Sequence, residues 1–374
     1  VSSFAHGAMA RPKLGGAMGC CSVAVLIGSA GSLNFAEKHI PVTVSGQSAG
    51  GSMAIQHLVA FSGSVVGAAL AAGSPYGCGA LPGGHVPVGK CYYGGTDANA
   101  AIQYLRGRFK DGLIDDPAHL KSTPVVLFNG KRDWEVYVEV MQETWLQLSA
   151  FVDASKLERV FDTYASHVWS LDHGWCFCGQ CALIGFGRCC DVNNCRYDLS
   201  GDMLTRSYGP LSPRVQARQE FSWIPQDEFI PPVNSSWSHA RMAKWAIAYV
   251  PTGCQQSAGD CRVHVHYHGC IADKWPQRLE WIKHLDLNEY GEANNIIVLY
   301  PQANGDGATG EGCWNWGFPE DDQLFDTKFS VQLQTVANML NKLYGALGRA
   351  EKLPVGIGPP SATAAAVESG GPSD

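Results

Sequence analysis

The stretch Gly46-Gln-Ser-Ala-Gly50 constrains this chain more than any other. It lies between "IPVTVS" (40–45), which reads as a strand, and "GSMAIQHLVAF" (51–61), which reads as a helix. A Gly-x-Ser-x-Gly turn in that context brings strand and helix backbones so close that only small residues fit beside the serine. It lifts the serine oxygen above the strand end and points the positive end of the helix dipole at it. Ser48 is therefore a candidate nucleophile. The motif alone occurs by chance, particularly in a chain with 43 glycines. The flanking strand and helix carry the reading.

Other segments extend the pattern. "TPVVLFNG" (123–130) and "NNIIVLYP" (294–301) are compact apolar runs, and "CRVHVHYHG" (261–269) alternates. "EVYVEVMQETWLQL" (135–148) and "SVQLQTVANMLNKLYGAL" (330–347) carry helical spacing. Buried-type strands alternating with helices predict an α/β fold with a mostly parallel central sheet flanked by helices. At 45% hydrophobic and 16% charged, 374 residues can bury a sizeable core. We read 1–39 as an N-terminal segment, 40–350 as a single catalytic domain, and the small, polar 356–374 as a disordered tail.

A net charge of −7 without a basic block argues against a nucleic-acid partner. No apolar run reaches the length of a membrane span. The fourteen cysteines recur in close pairs, Cys78 with Cys91 and Cys254 with Cys261, and in a cluster from Cys176 to Cys195. That usage predicts disulfides and an extracellular, oxidising setting. Zinc in the cluster is the weaker alternative. "AVLIGSA" (24–30) is too short and too late for a clear signal peptide, and Asn234 heads a glycosylation sequon.

A nucleophilic serine needs an acid and a histidine to take its proton, and in this kind of sheet both follow the serine in sequence. Asp133, just past the apolar run in "VVLFNGKRDW", is the candidate acid, with Asp115 and Asp116 as weaker rivals. His167 and His173 in "YASHVWSLDHGW" are the candidate bases, and their positions do not choose between them. Two N–H groups must also hold the developing oxyanion. One belongs to Ala49, after the nucleophile; the other is expected from a strand ending in His-Gly that precedes it. Here the only good match, "VHVHYHGC" ending at Cys270, lies over two hundred residues later. Circular permutation would produce this order, and domains whose termini lie close together tolerate it. Two unrelated domains are the alternative, but neither would carry a full set of parts. His264, His266 and His268 fall on one strand face, so a metal site is a rival reading.

Taken together, "VTVSGQSAGGSMA", "AAGSPYGC", "LFNGKRDWEV", "ASHVWSLD", "AYVPTGC", "VHVHYHGC", "NNIIVLYPQA" and "GCWNWGF" resemble, in order, the circularly permuted single-domain poly(3-hydroxybutyrate) depolymerases. These are secreted serine esterases of the α/β-hydrolase fold. The resemblance implies Ser48 as nucleophile, Asp133 as acid and His167 as base, because "ASHVWSLD" fits the segment around the family's histidine. It further implies Ala49 and Cys270 as oxyanion donors, Trp314 on the substrate crevice, and a Cys270–Cys313 disulfide fixing the site loops. It implies a polyester or oligoester substrate, with no cofactor, no metal and a monomeric chain. The sequence departs from the family in its rich cysteine cluster, in "HVWSLD", which lacks the Thr-Phe-Pro that commonly follows the histidine, and in "SYGPLSPRVQARQEFSWIPQDEF". Those departures leave feruloyl or acetylxylan esters as alternative substrates, and a catalytically silent polymer-binding protein as a third reading.

Overall fold

A computed structural model describes residues 41–84, 89–179, 192–232, 240–257, 260–270, 275–304, 312–318 and 322–348, all within one compact unit, Phe35–Asp374. The expected N-terminal segment, the tail and Asn234 lie outside the described residues. Ten strands are described: β1 (Val42–Gln47), β2 (Val65–Ala71), β3 (Val125–Phe128), β4 (Leu157–Val160), β5 (Trp169–Leu171), β6 (Val192–Asn194), β7 (Ser222–Pro225), β8 (Trp245–Tyr249), β9 (Arg262–Tyr267) and β10 (Ile296–Tyr300). The longer helices are α1 (Ala49–Ala60), α2 (Ala98–Lys110), α3 (Val138–Leu148), α4 (Leu199–Tyr208), α5 (Trp275–Ile282), α6 (Leu287–Asn294) and α7 (Val331–Ala346).

Eight strands form one sheet in the order β4-β3-β2-β1-β9-β10-β8-β7, and β5 pairs with β6 in a small second sheet. From β4 to β10 every pairing is parallel; β8 and β7 add antiparallel strands at one edge. The expected α/β architecture is present. Strand β9 lies directly beside β1, with Gly46 opposite Tyr267, although more than two hundred residues separate them.

Alternation along β1 sorts its side chains onto two faces. Val42 and Val44 join Met53 and Leu58 of α1 and Leu333, Val336 and Leu340 of α7 in one core cluster. A second cluster gathers Ala69 and Ala71 of β2, Phe128 of β3, Leu199, Met203 and Leu204 of α4, and Leu287 of α6. Helices thus cover the sheet on both faces, which lets a parallel sheet bury near-continuous apolar strands.

One boundary differs from the sequence expectation. The helical pattern starting at Glu135 becomes helix only at Val138, because Asp133 Oδ1 accepts hydrogen bonds from the N–H groups of Glu135 (3.0 Å) and Val136 (2.9 Å). That local turn holds the backbone out of the helix until the carboxylate is fixed.

Candidate active site

Three glycines explain why the β1–α1 turn can close. A Cβ on Gly46 would lie 2.1 Å from the Gly50 carbonyl oxygen, and one on Gly50 would lie 2.1 Å from that of Tyr267. One on Gly51 would come within 2.7 Å of the Ala71 oxygen. Strand, helix and both neighbouring strands meet there at backbone distance, as the motif requires. Ser48 takes φ 61° and ψ −129°, a conformation that costs an L-residue roughly 1–3 kcal/mol and persists only where the surroundings hold it. Its N–H bonds the Ala71 carbonyl at 2.8 Å, which fixes the turn to β2.

Asp133 follows β3 and is buried, at 4% exposure. With Oδ1 occupied by two backbone N–H groups, its Oδ2 lies 2.8 Å from His167 Nδ1. The loop carrying His167 is pressed onto this turn: a Cβ on Gly130 would lie 2.0 Å from the Ala165 oxygen, and the Arg132 N–H donates to that oxygen at 3.0 Å. Burial pushes the His167 imidazole toward the neutral form. The Asp133 charge and hydrogen bond, with Glu135 adding to them, outweigh it and hold the ring above its ordinary range. Glu135 Oε2 stands 3.8 Å from His167 Nε2, and that carboxylate side chain is 74% exposed. Among the described residues Ser48 Oγ makes no hydrogen bond, and such contacts often tighten only once substrate is bound.

Ser48, Ala49 and Cys270 line one small pocket with Ala72, Ser74, Tyr92, Val136 and Trp316. Ala49 opens α1, where first-turn N–H groups have no acceptor within the helix. The Gly269 backbone abuts the serine: a Cβ there would lie 3.1 Å from Ser48 Cβ. Cys270 is bonded to Cys313, the pairing implied by the family resemblance, and Cys78 to Cys91, which also lines the pocket. Both expected close pairs are disulfides, since Cys254 is bonded to Cys261.

Trp314 requires correction. It is 0% exposed and packs edge-on against Tyr267 within the core, so it does not line the pocket. Trp316, two residues on, takes the wall position and meets Tyr92 edge-to-face at 5.0 Å. "GCWNW" contained both tryptophans, but nothing in the segment ordered them by depth. Sequence reasoning also passed over Tyr92 and Val136 on the pocket wall and Glu135 beside the imidazole.

The rival residues have other partners. His173 Nε2 is 2.7 Å from Asp286 Oδ2, on the wall of a separate cavity of about 450 Å³. Asp172, His173 and Asp286 are close enough to share a cation. Arg214 already supplies the positive charge, 2.7 Å from Asp172 Oδ1 and 3.5 Å from Asp286 Oδ2. Asp115 pairs with Lys328 at 3.0 Å. His264 spends both ring nitrogens on hydroxyls, Nδ1 on Thr43 (2.9 Å) and Nε2 on Ser45 (2.8 Å). His266 Nδ1 also meets Ser45, at 2.6 Å, and His268 Nε2 accepts from the Ala303 N–H at 3.0 Å. Each of the three rings thus binds a protein group through at least one nitrogen, while His266 Nε2 is buried without a partner. In the cysteine cluster Cys178 is bonded to Cys195, which favours the disulfide reading over zinc; Cys181, Cys189 and Cys190 lie outside the described residues.

No family model matches the sequence. Over 343 residues, 88% of its length, the chain is 29% identical to a poly(3-hydroxybutyrate) depolymerase of Delftia acidovorans, of which it spans 66%. It is 28% identical over 287 residues to a polyhydroxybutyrate depolymerase of Talaromyces funiculosus, covering 74% of this chain and 81% of that one. Two solved structures share its fold with TM-scores of 0.66 at 25% identity, each covering 82% of this chain and 98% of theirs. One is a PHB depolymerase from Penicillium funiculosum, the other a PHB depolymerase variant complexed with an R3HB trimer.

Proposed function

We propose that this chain, a homologue of the poly(3-hydroxybutyrate) depolymerases in sequence and in fold, is a secreted serine esterase that hydrolyses poly(3-hydroxybutyrate) or a related polyester. The observation that carries the reading is a strained serine turn at the end of β1, with a part-buried Asp133–His167 pair beyond β3 and β4 whose histidine backbone bonds Gln47 next to the serine. Ser48 Oγ attacks the ester carbonyl while His167 Nε2 takes its proton, and the N–H groups of Ala49 and Cys270 hold the oxyanion. As the tetrahedral intermediate collapses, the bond to the leaving alkoxide breaks and His167 returns the proton to it, leaving an acyl-Ser48. Water, deprotonated by His167, then releases the acid and restores the serine. Asp133 holds the imidazole in the tautomer with Nδ1 protonated.

The four disulfides described here agree with an oxidising environment, and no described helix is long and apolar enough to cross a membrane. We take residues 40–350 as one catalytic domain and the late position of β7 to β10 as circular permutation. A monomer fits this scheme. For a solid polymer, the surface around the pocket must meet the substrate. Beyond Trp316 and Tyr92, Tyr93 and Trp134 each stand edge-on to Tyr137, and Trp134 is 69% exposed beside the acid. These aromatic side chains offer an apolar approach to the pocket.

The test is clearing of a poly(3-hydroxybutyrate) suspension by the full chain, run beside a feruloyl-sugar assay and with Ser48→Ala as control. Clearing by the wild type alone supports the reading. Clearing by Ser48→Ala would sink it, and turnover of the feruloyl ester alone would move the substrate to plant-wall esters.

A further inference from the structure

On the face of β1 opposite Val42 and Val44, Thr43, Ser45 and Gln47 form a row of buried polar side chains. Thr43 and Ser45 hold the His264 and His266 rings, as described above. Gln47, at 6% exposure and next to the nucleophile, reaches the other way: its Nε2 donates to the His167 carbonyl oxygen at 3.1 Å. Among the described residues this is the one hydrogen bond between the serine turn and the histidine loop. A second contact supports the same loop. Trp169, two residues beyond His167, stands perpendicular to the His266 ring at 5.0 Å and donates Nε1–H to Ser200 Oγ at 3.1 Å.

We propose that Gln47 is a positioning residue for His167, setting the height of the imidazole relative to Ser48 through the histidine's own carbonyl. This inference rests on the serine-esterase reading above. Asp133 fixes the ring's rotation through Nδ1, and the Ala165 and Trp169 contacts steady the loop, but none of them removes the histidine backbone's freedom to shift relative to the serine turn. Gln47 removes that freedom because β1 carries it in rigid register with Ser48. Misplacing a reacting group by an ångström slows chemistry without changing how substrate binds. The charged groups facing the imidazole are Asp133 at Nδ1 and Glu135 at Nε2. Gln47 is neutral, so it orients the loop without adding to that negative field.

The experiment measures p-nitrophenyl butyrate hydrolysis by the full chain, with active sites counted by a serine-reactive phosphonate. Gln47→Met keeps the volume and removes the donor. Per titrated site its kcat should fall about tenfold, roughly the value of one hydrogen bond, with KM unchanged. In an Asp133→Asn background the same substitution should cost much less, since the ring is already misoriented. If Gln47→Met does not fold, the isosteric Gln47→Glu is decisive. Its carboxylate, placed against the His167 backbone, should move the acidic limb of the kcat/KM profile to higher pH by about half a unit. An unchanged kcat per site in Gln47→Met, a loss that adds in full to that of Asp133→Asn, or an unmoved limb in Gln47→Glu would overturn the assignment. Ser48→Ala separates the two claims: residual activity there defeats the esterase reading, whereas an inactive Ser48→Ala beside a fully active Gln47→Met defeats the role of Gln47 alone.

Discussion

His167 sits between opposing influences, and their balance sets the pH range in which the chain can work. Burial disfavours the imidazolium, but the Asp133 and Glu135 carboxylates prevail and raise its pKa above the ordinary 6.5. A general base must be neutral, so esterase activity should fall as pH drops below that raised value. Glu135→Gln removes the charge facing Nε2 and should shift the acidic limb of kcat/KM downward. The exposure of Glu135 keeps the shift to a few tenths of a unit, in the manner of other solvated pairs. A limb that stays in place would assign the raised pKa to Asp133 alone. Spacing made Ser48 and Asp133 legible because each follows an apolar strand. The choice of His167 over His173 was not legible from spacing, since both histidines find an aspartate and only folding shows which aspartate lies near the serine. Trp314 was misread for a related reason: depth along a short loop depends on what packs over it.

At the scale of elements, the β1–α1 turn depends on backbones in contact. Gly50→Ala would drive a methyl group into the Tyr267 carbonyl at 2.1 Å, and the obstacle is a strand that cannot step aside. We expect at least 1–3 kcal/mol of destabilisation, read as a lowered midpoint in urea, together with loss of activity. A Gly50→Ala protein with wild-type stability and rate would contradict the close approach. The Cys270–Cys313 disulfide ties the loop after β9 to the segment bearing Trp316 across 43 residues. Replacing both cysteines with serine should cost about 2–4 kcal/mol. It should also lower kcat more than replacing Cys254 and Cys261, which lie in a separate apolar cluster at the far end of β8 to β10. Equal losses from the two replacements would remove any special role for the Cys270 loop. Strand and helix positions were legible because apolar periodicity reports burial. The delayed start of α3 was not, because a side-chain hydrogen bond overrides the helical pattern there.

Across the whole molecule, several histidines are buried in neutral form. Desolvation lowers His57 and His264 to about 3, and burial with the neighbouring His264 and His268 pushes His266 well down. In the unfolded chain each would titrate near 6.5, so below that pH the unfolded state binds more protons. Their contribution is fully present above pH 6.5 and is lost progressively as pH falls toward 3, at up to about 1.4 kcal/mol per unit for each ring. His167 acts with the opposite sign: its raised pKa adds stability below 6.5 and loses it as pH rises through the raised value. Three buried rings outweigh one among the histidines, so Thr43→Val with His264→Leu should lessen the loss of Tm between pH 6.5 and pH 4 relative to the unsubstituted chain. An unchanged pH dependence of Tm in that variant would mean that the His264 ring is not buried neutral. The sequence by itself determined the alternation of strands and helices, the serine turn and the candidate acid, because each is written in a local pattern of apolar spacing and small residues. Only the tertiary structure decided which tryptophan reaches the pocket, and it alone brought together the Asp133–His167 pair and the β1–β9 neighbours that spacing left open and the motif resemblance implied. Those outcomes depend on contacts between residues more than thirty, and in one case more than two hundred, positions apart, and no local pattern encodes them.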